Sequence, residues 1–119
     1  MSAVEFVQFW NGTKVKAMAT VSPAGAPHIA PIHAAFESGE LRTTIYVNAV
    51  RRMDICKNPE VALTTWGDGG AAAIVYGRAR EIEESEKVTR SGASGAERKT
   101  VGLAITVHRI YAMKARAVE

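Results

Sequence analysis

The sequence contains a single cysteine, Cys56, and no apolar run long enough to cross a bilayer. One cysteine forms neither an internal disulfide nor a multi-thiolate metal site, so the core must be held by packing, alone or with a second subunit or ligand. A membrane span needs about 20 consecutive apolar residues, and the first residues lack the basic and apolar regions of a secretion signal. We therefore expect a cytoplasmic protein with no membrane partner.

Aromatic residues and clustered charges are also scarce. Aromatics make up 7% of the chain, and 15 Lys and Arg against 12 Asp and Glu leave a net charge of +3. Binding a phosphate backbone takes a continuous basic stripe, whereas the one tight basic cluster here is Arg51 with Arg52. Few aromatics also disfavour a base-stacking platform. No nucleic-acid partner is expected, and a small non-enzymatic β-barrel that binds nucleic acid or protein is the alternative of a different class.

The remaining composition is typical of one globular domain, residues 1–119. The chain is 47% hydrophobic and 23% charged, far from the composition of disordered segments. A domain of this size buries only about two thirds of the surface of its unfolded chain. A second subunit or a bound cofactor would therefore add usefully to its stability.

Hydrophobic periodicity predicts a mainly β fold with two short helices. Residues 2–10 have helical spacing, and residues 15–21 alternate with the period of a strand. The sequence SPAG at 22–25 is typical of a type I turn. Further strands are expected at residues 28–36, 43–47, 61–66, 72–83 and 103–113, with the first three strands in an antiparallel meander. Six strands at this spacing favour an antiparallel barrel, because closing the sheet removes its edge strands.

A helix of about two turns is predicted between the third and fourth strands. Asn48 is expected to be its N-cap, and Asn58 with the following proline ends it. Cys56 is expected on its buried side as a small hydrophobe. The segment 91–95, SGASG, has the composition of a flexible linker.

The start of this helix is unusual because Arg51 and Arg52 lie in its first turn. Cations there face the positive end of the helix dipole, which costs a few tenths of a kcal/mol to about 1 kcal/mol each. A bound anion would make this arrangement favourable, because unpaired N–H groups, the Asn48 side chain and two guanidinium groups would converge on it. The pattern indicates a phosphate site, unless both side chains simply extend into water.

Several motifs in this order resemble one known family. They are ATVSPAGAPHIAPI at 19–32, IYV at 45–47, the Arg51 and Arg52 pair, NPEVAL at 58–63 and YGRA at 76–79. Together they resemble the pyridoxamine 5'-phosphate oxidase-like family of FMN-binding split barrels. The chain length is similar to that of the small bacterial FMN-binding proteins of this group, which are dimers. The resemblance implies an all-β, six-stranded antiparallel Greek-key split barrel that binds FMN near the interface of a homodimer.

The resemblance also implies cofactor-binding residues. Arg51 would hold the flavin phosphate, with Arg52 as a second candidate. The remaining positions match segments that contact the ring or the ribityl chain in similar proteins: Pro31, Ile32, His33, Val47, Asn48, Thr64 and Thr65. Trp66 would cover the ring or pack in the core or the dimer contact.

No catalytic acid–base pair is visible, and none is needed, because a flavin carries out hydride or electron transfer itself. His28, His33 and His108 lack metal-ligand spacing, so no metal site is expected. True pyridoxamine phosphate oxidases use a basic, histidine-containing C-terminal motif that this sequence lacks, so that activity is not expected. A small FMN-dependent oxidoreductase with unknown electron donor and acceptor is the leading interpretation; a deazaflavin- or heme-binding relative is the alternative within the fold.

Overall fold

The computed structural model describes residues 2–91 and 96–114, which form two helices, one 3-10 turn and seven strands. Of the predicted linker, residues 92–95 lie outside the described part of the chain. In chain order the elements are α1 (Ala3–Gly12), β1 (Lys16–Val21), β2 (Pro27–Pro31), β3 (Ala34–Glu37), β4 (Glu40–Tyr46), α2 (Val50–Lys57), β5 (Glu60–Trp66), a 3-10 turn (Asp68–Gly70), β6 (Ala72–Ser91) and β7 (Ala96–Met113).

The strands form a single antiparallel sheet in the order β2-β1-β5-β6-β7-β4-β3. The two edge strands, β2 and β3, are consecutive in the chain and are separated only by Ile32 and His33. Consecutive Cα atoms are about 3.8 Å apart, so the two edges come within about 11 Å of each other at this link. The sheet must therefore curl into a barrel that stays open between β2 and β3, and the predicted split barrel is confirmed.

The strand count differs from the expected six because the predicted strand 28–36 is divided. Its first half pairs with β1 and its second half with β4, so both predicted pairings form. A flat meander does not form, because Ile32 turns into the core and its N–H donates to the Lys16 carbonyl oxygen at 3.0 Å. The two halves therefore become opposite edges of the sheet.

Helix α1 covers the core beside β3. The Ser2 side chain accepts a hydrogen bond from the Glu5 N–H and caps the helix, as expected of serine at this position. Phe6 and Trp10 point into the core, and the Trp10 indole N–H donates to the Ala34 carbonyl oxygen at 3.1 Å. This bond satisfies the one polar atom of a fully buried tryptophan and joins α1 to β3.

The hydrophobic core lies inside the curled sheet. Its fully buried side chains come from both halves of the barrel and include Met18, Leu41, Leu63, Val75, Leu103 and Ile105. The long hairpin of β6 and β7 packs closely at Gly77, where a Cβ atom would lie 2.6 Å from the Thr106 carbonyl oxygen. No helix in residues 2–91 or 96–114 is long and apolar enough to span a bilayer.

Candidate functional site

The start of α2 is the first component of the candidate site. The helix begins at Val50 and its N-cap is Ala49, which makes no side-chain capping bond. The prediction of Asn48 as the N-cap is therefore wrong: a turn precedes the helix, closed by the Ala49 N–H on the Tyr46 carbonyl oxygen at 3.0 Å, and it places Asn48 one residue too early. The first turn of α2 has no acidic residue, so no carboxylate of that turn competes with an anion for its N–H groups; the Arg52 N–H already donates to the Ala49 carbonyl oxygen at 3.1 Å.

Arg51 points from this turn into a cleft. Its guanidinium donates to the Pro31 carbonyl oxygen at 3.4 Å, a long contact. Among the side chains that the structure describes, no carboxylate lies within 4.0 Å of it. Burial lowers the pKa of Arg51, although an arginine stays protonated in proteins. The result is a half-buried cation with no counterion among the described side chains.

The cleft around Arg51 has a volume of about 280 Å³ and lies at the opening of the barrel. It is bounded by the end of β2, the link to β3, the end of β4 and the neighbouring part of β7. Its lining residues are Pro31, Ile32, His33, Thr44, Ile45, Tyr46, Arg51 and Thr100. His33 and Thr44 also line a larger cleft of about 790 Å³, so the two clefts adjoin; together they are called the trough.

Arg52 has a different environment from Arg51. Its guanidinium Nε donates to Glu81 at 2.7 Å, and a second nitrogen donates to the other oxygen of the same carboxylate at 3.3 Å. A further nitrogen donates to the Val47 carbonyl oxygen at 3.3 Å. This two-pronged pair joins α2 to β6 and offsets the charge of Arg52, which leaves Arg51 as the stronger anion ligand.

A buried carboxylate fastens α2 to the β1–β2 hairpin. Asp54 is 1% exposed and accepts a hydrogen bond from the Thr20 hydroxyl at 2.7 Å. Its other contact is the Nδ1 atom of His28 at 2.6 Å. The bond with His28 most of all, and that with Thr20, lower the pKa of the Asp54 carboxyl, against the opposing effect of its burial. The orientation of α2, and with it of Arg51, depends on this charged cluster.

Comparison with known proteins agrees with this architecture. Residues 3–114 match the model of the pyridoxamine 5'-phosphate oxidase family. The chain belongs to this family. Among curated proteins, none matches the sequence.

Solved structures of other proteins share the fold at low identity. An F420 reductase is 18% identical over 93% of this chain and 98% of its own, with a TM-score of 0.73. A FAD-binding protein from Mesorhizobium loti is 16% identical over 92% of both chains, with a TM-score of 0.68. HutZ, the heme storage protein from Vibrio cholerae, is 12% identical over 92% of this chain and 93% of its own, with a TM-score of 0.70. At these identities the likeness concerns the fold.

The structure of this family member brings together part of the predicted cofactor set. Pro31, Ile32, His33 and Arg51 line the same cleft. Val47 and Asn48 form the turn between β4 and α2 at the edge of that region, and the Val47 carbonyl oxygen is used by Arg52. Their roles toward a cofactor stay predictions.

Thr64 and Thr65 lie away from the Arg51 cleft. Thr64 is on the outer face of β5, where its hydroxyl donates to the Ala73 carbonyl oxygen. Thr65 is fully buried, donates to the Val15 carbonyl oxygen and contacts the Thr13 hydroxyl. Within one chain, neither threonine lines the cleft that contains Arg51.

The cleft also contains residues that the sequence did not indicate. Thr44, Tyr46 and Thr100 line it, and Tyr46 is directly paired with Thr100 in the ladder of β4 and β7. The two strands are more than 50 residues apart in the chain, so no local pattern could show that they meet. The only available signal was the family motif at 45–47, which includes Tyr46.

The other residues considered from sequence have ordinary surroundings. Cys56 is exposed, so its predicted burial is wrong; α2 buries Asp54 and Ile55 instead. His108 contacts Glu60 at 3.1 Å, far from the pairing of His28 with Asp54. In the described part of the chain, no group of three or more potential metal ligands comes together.

Proposed function

We propose that this protein is a small cytoplasmic FMN-binding flavoprotein that acts as an oxidoreductase, with the flavin phosphate bound by Arg51. The observation that carries the proposal is the half-buried guanidinium of Arg51, which has no carboxylate partner among the described side chains and faces a cleft at the opening of a family fold. A phosphate there would be bound by the guanidinium and by the N–H groups of the first turn of α2.

The shape of the trough is compatible with such a cofactor. Ligand pockets usually measure about 300–1,000 Å³, and the Arg51 cleft of about 280 Å³ accommodates only part of a flavin nucleotide. The phosphate and ribityl chain would lie beside Arg51, and the ring would extend toward His33. Pro31 and Ile32 would provide apolar contacts along its edge.

Bound FMN would supply the hydride or electron transfer. The residues of the chain would hold it in place: Arg51 neutralises the phosphate, and Asp54 with His28 keeps α2 seated on the hairpin. The side chain of His33 is exposed at the junction of the two clefts. In this proposal it would donate a hydrogen bond to the ring.

A homodimer is part of the proposal because the outer face of the sheet is apolar. Direct pairing places Pro31, Ala17, Thr64, Ile74 and Tyr111 in one row across five strands. The exposed large side chains of this face are Ile29, Trp66, Ile74, Tyr76, Tyr111 and Met113. An extended apolar face of this kind is typical of a protein contact.

A second copy of the chain fits this face for two reasons. Small residues, Ala17 and Ala19, form the floor of a shallow groove of about 190 Å³ between the large side chains. The face therefore has both a groove and protruding side chains, and the protruding side chains of a second copy could enter the groove. The row also reaches Pro31, which lines the Arg51 cleft. Dimerisation through this face would place the cofactor near the subunit interface.

A deazaflavin or heme is the second candidate cofactor. The names of the structural neighbours favour it, because one is an F420 reductase and another a heme storage protein. Arg51 would accept the phosphate of a deazaflavin cofactor as well as that of FMN. The three cofactors have different absorption spectra, so the spectrum of protein purified from its native host separates them.

The proposal is tested by titrating the purified protein into FMN and following flavin fluorescence, together with the solution mass. We expect a dissociation constant at or below the micromolar range and a mass of twice 12.8 kDa. A protein that is colourless as purified and does not bind FMN at micromolar concentrations would refute the flavin assignment. A monomeric mass would refute the dimer alone.

A further inference from the structure

Lys16 is a lysine on the buried face of a strand. Along β1 the residues Lys16, Met18 and Thr20 point inward, and Lys16 is only 7% exposed. Lysine is almost never buried to this extent unless it is paired with an opposite charge. The surroundings of its ammonium group therefore need an explanation.

The ammonium of Lys16 has few partners inside the protein. Nζ donates to the Thr13 carbonyl oxygen at 2.5 Å and lies 5.9 Å from the centre of the Trp10 ring. Within residues 2–82 and 99–114, whose side chains are described, no carboxylate lies within 4.0 Å of it. Burial lowers the pKa of Lys16. An ammonium has three N–H donors, and the carbonyl oxygen accepts only one.

Lys16 lines the cleft of about 790 Å³, where several of the other polar groups are already engaged. The Asn11 amide bonds to the backbone of Phe36 through both its oxygen and its nitrogen. The Thr43 hydroxyl donates to the His33 carbonyl oxygen, and Arg42 is paired with Glu40 at 3.2 Å. What this cleft offers an anion is therefore the positive charge of Lys16, supplemented by the exposed Lys14 at its rim and by the buried Nε of Arg42, which has no hydrogen-bond partner among the described residues. The exposed carboxylate of Glu37, on the same lining, opposes an anion and favours one bound deep in the cleft beside Lys16.

We propose that this cleft binds a small anionic molecule whose carboxylate or phosphate group contacts Nζ of Lys16. Its volume lies within the usual range of ligand pockets, about 300–1,000 Å³, and the anion would supply a counterion that no described side chain gives the buried ammonium. The site is distinct from that of Arg51 and borders it at His33. Anion binding at Lys16 does not depend on the proposed flavin function. Only the further idea that the bound anion is the substrate of the flavin rests on that function.

The first test maps binding on the unaltered protein by two-dimensional ¹H–¹⁵N NMR. Benzoate and phenyl phosphate serve as anionic probes, and benzamide is the neutral counterpart of benzoate. We expect shifts in the backbone amides of Lys16, Ala34 and Gly102, which line the cleft, and binding of benzamide at least tenfold weaker than benzoate. The stronger of the two anionic probes identifies the preferred charged group. Equal binding of benzoate and benzamide, or no shift in these amides, would overturn the proposal.

The second test compares Lys16→Met with Lys14→Met. Methionine keeps the unbranched apolar stem beside Trp10 and removes the charge, while Lys14→Met removes an exposed charge from the rim of the same cleft. We expect Lys16→Met to weaken binding of the better anion at least tenfold, Lys14→Met to weaken it less than threefold, and Lys16→Met to leave the affinity for FMN within threefold. Equal loss in both variants would indicate diffuse attraction and overturn the site.

The outcomes separate this site from the flavin site. Loss of FMN binding together with anion binding in Lys16→Met would show that Lys16 serves the flavin phosphate, which overturns a separate site. Anion binding in a protein that does not bind FMN would support the Lys16 site and refute only the flavin proposal. If Lys16→Met does not fold, the amide shifts of the unaltered protein with benzoate and benzamide decide whether the anion site exists.

Discussion

Replacing Arg51 by alanine should weaken FMN binding while slightly stabilising the free protein. In the free protein Arg51 is a cation in the first turn of α2, and its one side-chain hydrogen bond among the described residues is a long contact of 3.4 Å to the Pro31 carbonyl oxygen. Removing a cation from this position relieves an unfavourable dipole interaction of about 0.3–1 kcal/mol. For a domain of this size that raises the melting temperature by about 1–4 °C.

The expected loss of FMN-binding free energy in Arg51→Ala is larger than this gain in the stability of the free protein. A guanidinium binds a phosphate through two parallel charge-assisted hydrogen bonds, and a hydrogen bond to a charged group contributes about 1.5–3 kcal/mol net. The helix N–H groups and water keep part of the stabilisation in the variant, so we expect a loss of about 2–3 kcal/mol. That is about 30- to 150-fold in the dissociation constant.

Arg52→Ala is the matched control because it removes the same group from the next position. Arg52 already donates twice to Glu81, so its loss should change FMN affinity less than about threefold and reduce stability by at most about 1 kcal/mol. Arg51→Lys keeps the charge without the two-pronged geometry and should fall between Arg51→Ala and the unaltered protein.

Fluorescence titration of FMN at fixed ionic strength, with thermal unfolding of the same samples, measures both effects. Equal affinities for Arg51→Ala and the unaltered protein would show that the phosphate binds elsewhere. A larger effect in Arg52→Ala would mean that the ion pair with Glu81 opens when the cofactor binds. Either result would refute the reasoning that an unpaired guanidinium marks the site.

Three further predictions concern the framework of the site. Gly77→Ala should destabilise the fold by about 2–3 kcal/mol and lower the melting temperature by about 10 °C, because the new methyl group would lie 2.6 Å from the Thr106 carbonyl oxygen. Trp10→Phe should cost about 2–3 kcal/mol in urea unfolding, since it leaves a buried carbonyl of β3 without its donor. The bonds from His28 and Thr20 lower the pKa of Asp54 in the folded state, so this carboxylate stabilises the fold above the ordinary aspartate pKa of about 3.9, and that stability should be lost as the pH falls through the lower folded value. Urea unfolding between pH 2.5 and 7 should show this loss in the unaltered protein and lack it in Asp54→Asn. The same pH profile in both proteins would contradict the assignment.

Local features of this fold could be predicted from the sequence because they depend on neighbours in the chain. The helix at the N-terminus begins at its Ser2 cap, and the turn at 22–25 joins the first two strands as expected. The anomaly at Arg51 was visible because two cations in a first helical turn are unfavourable without an anion.

Features that depend on long-range pairing could not be predicted. Alternation in β1 shows that Ala17 and Ala19 share one face and Lys16 and Met18 the other, but not which face is inside. Apolar composition favours the alanine face, whereas the structure buries Lys16 and Met18. The division of the strand at Ile32 likewise depends on a bond to the Lys16 carbonyl oxygen, and the meeting of Tyr46 with Thr100 depends on the β4–β7 ladder.

The two-residue link formed by Ile32 and His33 has a geometric consequence for the trough. Because the covalent link has a fixed length, bond lengths set an upper limit of about 11 Å on the distance between the two edge strands at this point. The opening into which Arg51 points therefore cannot widen beyond this limit near His33, whichever ligand occupies it. Inserting a glycine between these two residues would raise this limit by up to about 3.8 Å and would let the opening widen without altering any side chain that faces a ligand.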